Sequence, residues 1–298
     1  MKKLSKFLSM ILIAAMIVTG FTGLTGNKKV SAAEDSIKVY VTIADDIGVQ
    51  VVKQKTVEVT DIDEDGALTI LDALYCAHEK YYKGGAEEGF GYINDPDYGP
   101  SMTKLWGVEN GGSYGYLVND AFAWNLADPV KENDYINAYC YVDLETYSDA
   151  YTFFNKRVKS VKVGSVAKLK LSYIAWTDNG SVALPLEGAV VLVNENDLGL
   201  VTSKKGYVKF IAVKSGSYYV SAIDSYKTIV RPGCIVFVQP AKGEVIEVKD
   251  KKYTVTKNGK VSTGKKGKVT FSKSANEGKD TPKTIEYAGV TYKVKVVD

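Results

Sequence analysis

The chain has 298 residues but only one histidine, three cysteines and seven prolines. Each shortage closes a door. A Ser-His-Asp relay needs a histidine held between a nucleophile and an acid. A zinc centre gathers several His or Cys at motif spacing. The single His78, flanked by Glu79 and Lys80, reads as a surface residue of a helix. Cys76, Cys140 and Cys234 are odd in number and scattered, which argues against a disulfide scaffold and leaves a Cys76–Cys140 bridge as the pairing to check. No GxGxxG, phosphate-loop or GxSxG segment occurs. Carboxylate pairs such as Asp143/Glu145 and Glu87/Glu88 are too common in any chain to signal glycoside hydrolysis. The expectation is no catalytic residue and no enzyme. Formal net charge is only +3, so no single-sign field covers the molecule and nucleic acid is not an expected partner. Beyond the N-terminus no apolar run approaches the roughly 20 residues of a membrane span.

Apolar residues make up 45% of the chain, enough for folded cores without disulfides. Lys2, Lys3 and Lys6 precede an apolar run, Phe7 to Val18, and Val30-Ser31-Ala32 offers small residues for cleavage. That is the layout of a secretory signal over 1–32, with the mature chain starting near Ala33. No Cys follows for lipid attachment, and the end of the sequence carries no wall-sorting pattern. The expected location is secreted, extracellular or cell-surface associated, with no membrane span.

The most specific pattern is acidic. Asp61, Asp63 and Asp65 alternate, Gly66 follows, and Asp72 closes a twelve-residue stretch. This is calcium-loop spacing, with carboxylates at positions one, three and five and a glycine at six. Ala67 would offer a carbonyl, Thr69 a hydroxyl or a water, and Asp72 the final carboxylate. A second reading stands beside it. Thr69 and Asp72 also fit a capping box, each satisfying a free N–H at a helix start. Three alternating Asp exceed what capping needs, and a cation among them would offset their repulsion. Calcium is the expected ion.

Period-two patterning predicts strands in 36–57 around Ile37, Val39, Val41, Val49, Val51 and Val57. Helical spacing predicts a helix over 69–82, stopped by Gly84-Gly85. Residues 86–115 read as a long ordered loop or short strands, and Tyr114–Val118, Ala121–Trp124 and Asp134–Val142 as further strands. In 158–238 the expected strands are Ala167–Ile174, Ala189–Val193, Tyr207–Ala212, Gly216–Ile223 and Ile235–Val238, at spacing that suits a sandwich. A Lys-heavy block follows, with strands at Lys252–Thr256, Lys268–Ser272, Thr284–Tyr287 and Val290–Val297 and a hairpin turn at Asn258-Gly259. Its lysines fit a solvated sheet surface or attraction to an anionic wall polymer. The expected fold class is a mainly β multidomain chain: an α+β domain over 33–157, a β-sandwich over 158–240 and a small all-β module over 241–298.

Four segments carry a resemblance: Thr69–Leu74, Leu105-Trp106-Gly107, Tyr114–Ala121 and Asp128–Ile136. Together they resemble a secreted domain family similar to the C-terminal domain of transcobalamin, over about residues 36–148. The resemblance implies a β-grasp-like fold, one helix across a curved sheet. The acidic loop looks like half of a dockerin repeat, and no second half occurs. The Leu186–Val193, Lys205–Phe210 and Ser215–Ala222 segments resemble immunoglobulin-like or prealbumin-like modules. The Lys252–Val261 and Ala288–Val294 segments resemble small β modules on surface proteins of Gram-positive bacteria. These likenesses imply an adhesive or binding chain whose partner is a glycan, a cell-wall polymer, a surface protein or a small molecule. The alternative they imply is a corrinoid (cobalamin) binder, although the helical domain opposite the transcobalamin β-domain has no counterpart here. The aromatic set around Trp106, Tyr114, Tyr116 and Trp124 supplies candidate stacking residues as well as ordinary core. Of these, Trp106 beside Gly107 is the one expected to be exposed.

Overall fold

The computed structural model describes residues 36–248 except 179, together with the backbone of 251–255, 261–263, 269–271, 284–287 and 290–296. The expected leader (1–32) and the Asn258-Gly259 turn lie outside the described residues. The protein is mainly β, with several sheets and two short helices.

The N-terminal body is built from β1 (Ile37–Ala44), β2 (Gln50–Val59), α1 (Ile70–Tyr81), α2 (Gly85–Gly89), β3 (Phe90–Asp95), β4 (Gly99–Leu105), β5 (Tyr114–Val118), β6 (Ala121–Phe122) and β7 (Tyr135–Cys140). Its main sheet runs in the order β2-β1-β7-β5-β6. The β1–β7 pair is parallel, Val41 opposite Ile136 and Ile43 opposite Ala138. The other pairs are antiparallel. Alternation dictates this arrangement. Ile37, Val39, Val41 and Ile43 point to one face and are buried. Helix α1 covers that face with Ile70, Leu71, Leu74 and Ala77, all in the same core cluster. Each of its larger apolar side chains contributes about 2 kcal/mol through burial. The expected helix over 69–82 thus forms over 70–81. The expected loop over 86–115 contains a short helix and the β3–β4 hairpin, whose turn is closed by Asp95 Oδ1 accepting the N–H groups of Asp97 and Tyr98.

The second body contains β8 (Ala150–Phe154), β9 (Val158–Lys162), β10 (Val166–Thr177), β11 (Gly180–Pro185), β12 (Val190–Val193), β13 (Asn196–Val201), β14 (Tyr207–Ile211), β15 (Gly216–Ile223), β16 (Ile229–Val230) and β17 (Cys234–Gln239). One sheet is ordered β11-β10-β8-β16, with β14 paired to the first half of β10. The other is β13-β12-β15-β17-β9. Both contribute to one core, with Phe154, Leu169 and Leu171 from the first and Val191, Val220 and Val236 from the second. Strand β8 precedes residue 157 in sequence yet hydrogen-bonds into this body through Tyr173 and Leu171. All three cysteines are free, so the Cys76–Cys140 bridge does not form.

The C-terminal strands are β18 (Val245–Val248), β19 (Lys251–Val255), β20 (Val261–Thr263), β21 (Val269–Phe271), β22 (Thr284–Tyr287) and β23 (Val290–Val296). Four form the sheet β18-β19-β23-β22, and β20 pairs with β21. Among the described residues, no helix is long and apolar enough to cross a membrane.

Candidate functional site

The link from β2 to α1 turns through two residues with left-handed backbones, Glu64 (φ 59°) and Gly66 (φ 86°). Its own acids fasten the turn. Asp61 Oδ1 accepts from Asp65 N–H (3.2 Å) and Oδ2 from Gly66 N–H (2.8 Å). Asp65 Oδ1 accepts from Ala67 N–H (2.8 Å). The result gathers Asp61, Asp63 and Asp65, with one ligand oxygen from each lying within 4.8 Å of the others. This exposed triad can hold a metal ion. Without one its charges repel, and the Asp63 carboxyl is pushed above its usual range by burial, then by the charges of Asp65 and Asp72.

Asp72 sits elsewhere in the scheme. It is fully buried. Its Oδ2 accepts from Thr69 N–H (2.8 Å) and Thr69 Oγ1–H (2.6 Å), and its Oδ1 from Ile62 N–H (2.9 Å). Thr69 Oγ1 in turn accepts from Asp72 N–H, closing a capping box. Asp72 and Thr69 are therefore engaged at the helix start, and Asp72 ties the acidic loop to that start through Ile62. The next free N–H groups of α1 go to a neighbouring loop: Ile70 donates to Asp128 O (3.1 Å) and Leu71 to Leu126 O (2.9 Å). Val130 N–H donates back to Leu68 O (2.9 Å), and Thr69 pairs with Pro129. The acidic loop and the 124–130 loop are thereby held side by side.

His78 is not a surface residue, contrary to the sequence reading. It is fully buried in α1. Its Nδ1 lies 2.7 Å from Leu74 O, and its Nε2 accepts from Trp106 N–H (3.0 Å). Those partners fix the neutral form with the proton on Nδ1. Burial pulls its pKa down to about 4. The ring lies among Tyr82, Phe90 and Trp106. The flanking charges Glu79 and Lys80 suggested exposure, but the helix turns that position inward beside Leu74. Trp106 reaches the His78 ring because Leu105-Trp106-Gly107-Val108 is a tight turn with both middle φ values positive (54° and 79°). A Cβ at Gly107 would meet Tyr82 Oη at 2.2 Å, so only glycine fits.

The four candidate stacking residues therefore separate. Trp106 is half-buried and packs edge-on to Tyr82, at 5.0 Å between ring centroids. Tyr114 has its hydroxyl tied to Thr103 O, Val108 O and Asn110 N–H. Tyr116 is half-buried against the core. Trp124 is 84% exposed, on the loop beside the acidic turn, with its N–H held by Asp128 Oδ2 (2.6 Å). Sequence patterning did not single out Trp176, at the end of β10. It is 70% exposed, and its ring lies 5.5 Å from Phe122 at the edge of the first sheet. Its signal was there: a tryptophan followed closely by the sequence Asp-Asn-Gly.

The two bodies meet through a buried cluster, Ala44, Leu117 and Tyr139 against Tyr151 and Val230, and through polar side chains. Arg157 reaches Asp120 and Tyr151 Oη and lies over the Tyr135 ring. Tyr151 Oη donates to Asp120 Oδ1 (2.7 Å) and accepts from Asn137 Nδ2 (3.0 Å). Buried Gln50 donates to Arg231 O and accepts from Tyr219 and Ser221 hydroxyls. Beside it lies a cleft of about 380 Å³ lined by Lys53, Lys55, Asn194 and Tyr219.

No protein-family model matches this chain, and no curated protein is a significant match. Two crystal structures of the N-terminal four Ig domains of Dscam1, isoforms 4.4 and 8.4, are each 8% identical to it. They align over 70% and 72% of this chain and 45% and 46% of theirs, with TM-scores of 0.22 and 0.21. The chain thus spans less than half the length of those structures. The similarity to Ig-domain proteins is distant and assigns no family.

Proposed function

We propose that this is an exported, non-enzymatic recognition protein of the cell surface, whose N-terminal body binds a glycan on exposed aromatic side chains. The observation that carries the reading is Trp124, exposed on a loop hydrogen-bonded to Leu68 and the start of α1, just after the metal-competent turn. Aromatic faces of this kind stack on the C–H faces of sugar rings, with polar neighbours supplying orientation. Phe122 of β6 packs against Trp176 of the second body, and Asp120, in the turn before β6, accepts from Tyr151 Oη of that body.

In this reading calcium is the ion of the acidic loop. Asp61, Asp63 and Asp65 hold it, with the Ala67 carbonyl as a further oxygen. Thr69 and Asp72 stay with the helix cap, and Asp72 steadies the loop through Ile62. The ion would brace the turn, and through the Leu68–Val130 and Ile70–Asp128 bonds it would order the loop that presents Trp124. In such extracellular modules affinity falls to about 10⁻⁴–10⁻³ M. We read the first body as β-grasp-like, the second as an immunoglobulin-like sandwich acting as spacer, and 241–298 as a surface-contact module.

A glycan array probed with the full chain, with and without calcium, tests this. Binding that is lost in the Trp124→Ala variant and weakened by chelator supports it. An unresponsive array, or binding indifferent to Trp124, overturns it.

A further inference from the structure

We propose that the outward face of the β10–β14 pair binds a linear, base-free phosphodiester polymer, one negative charge per repeat along an extended backbone. The surface is distinct from the acidic loop and the aromatic residues, and it owes nothing to the calcium reading.

The register puts Val166 opposite Ile211, Lys168 opposite Lys209 and Lys170 opposite Tyr207. Alternation sends these six side chains outward while Ala167, Leu169 and Val208 go into the core. Lys168 and Lys209 are thus cross-strand neighbours about 5 Å apart at Cβ, a like-charge pairing that destabilises a sheet. Lys168 and Lys170 follow one another along the strand at roughly 6.6 Å, twice the rise per residue. Beyond Tyr207 the turn adds Lys204 and Lys205, and Asn155, bonded to Lys170 through both backbone groups, leads into Lys156. Among the described residues none of these lysines makes an ion pair. Glu187, in the loop whose neighbours bond Leu171 and Thr202, reaches none of them. The face itself carries Lys168, Lys170 and Lys209, with Lys204, Lys205 and Lys156 at its ends. A net charge of +3 over the whole chain averages this face away.

A protein that keeps like charges opposite one another on a sheet, with no acid between them, leaves their field for a partner. The track is linear, following one strand pair, so a linear polyanion fits it better than a flat lipid surface. Val166 and Ile211 supply aliphatic surface at one end only. Nucleic acid is disfavoured by the ring on the track: Lys168 Nζ lies 3.8 Å from the centre of Tyr207, which occupies the face a base would stack on.

The test uses the full chain and poly(glycerol phosphate), with an oligo-deoxythymidylate and vesicles of anionic phospholipid as parallel arms. At low salt the wild type binds poly(glycerol phosphate), and affinity falls with salt as a counterion-release interaction requires. The K168E/K170E variant loses roughly tenfold or more in affinity and melts no lower than wild type, because position 168 then faces Lys209 with the opposite charge. A milder K168Q/K209Q variant gives the same direction should the charge-reversed variant fold poorly. No binding by wild type, undiminished binding by both variants, or tighter binding to oligo-deoxythymidylate or vesicles overturns the proposal.

Discussion

The two bodies bury different kinds of chemistry. The core beneath α1 encloses a carboxylate and an imidazole, Asp72 and His78, both without solvent exposure and each with its polar atoms bonded. The core between the two sheets of the second body encloses apolar side chains and the thiol of Cys234, pushed up to about 12 by burial as is the Cys140 thiol of the first core. Burial keeps His78 neutral and Cys234 a thiol throughout the ordinary pH range, and Asp72 accepts from three donors. The first body should therefore fail with acid and by single polar substitutions, and the second only by loss of packing.

The sharpest way to break that contrast is His78→Ala. It leaves the Trp106 N–H without its acceptor and opens a cavity, and the expected loss is about 4 kcal/mol. Denaturant unfolding measures the loss, and hydrogen exchange should place it in α1 rather than β15. Leu169→Ala in the second core is the matching control. Its cost should be independent of pH.

Acid comes next. Folded His78 titrates near 4 against about 6.5 when unfolded. As pH falls, the unfolded chain takes up its proton first. Stability present above pH 6.5 is therefore lost between 6.5 and 4, by about 3 kcal/mol across the window. The loss should vanish in His78→Ala and persist in Leu169→Ala.

Asp72→Ala should cost about 2–3 kcal/mol, since Thr69 and Ile62 lose their acceptor and the helix loses its cap. Calcium at millimolar concentration should not rescue it fully, because the cap does not depend on the ion. The smallest effect concerns Asp63. Its carboxyl is raised in the folded state, so ionising it works against the fold as pH rises through that range. Asp63→Asn should slightly raise the melting temperature in chelator at pH 7 and abolish any calcium-induced rise. A rise that survives in Asp63→Asn would move the ion away from the triad.

Much of the scaffold was legible in sequence because a half-buried strand alternates. Strands β1, β10 and β15 and helix α1 stand where the apolar periods put them. Strands β11 and β13 were not seen. Neither buries a face to leave an apolar period, and β13 is written in Asn, Asp and Gly, which resemble a turn. The acidic triad was legible because its spacing carries the chemistry. The capping role of Asp72 was legible as one of two alternatives, and its bonds to Thr69, three residues back, and to Ile62, ten back, show that role filled. His78 was misread because its partners, Leu74 and Trp106, are respectively local and distant, and only the second explains why an imidazole is there. The lysine track was hidden by register: Lys168 and Lys209 are 41 positions apart in the chain and opposite each other in the sheet.

Trp106 gives this molecule a built-in optical gauge. The indole sits 5.3 Å from the His78 ring, while the indoles of Trp124 and Trp176 look out into water. An imidazolium so close drains excited-state energy from an indole that a neutral ring leaves bright. The blue side of the emission spectrum should dim as the buried ring gains its proton, before the backbone around it comes apart.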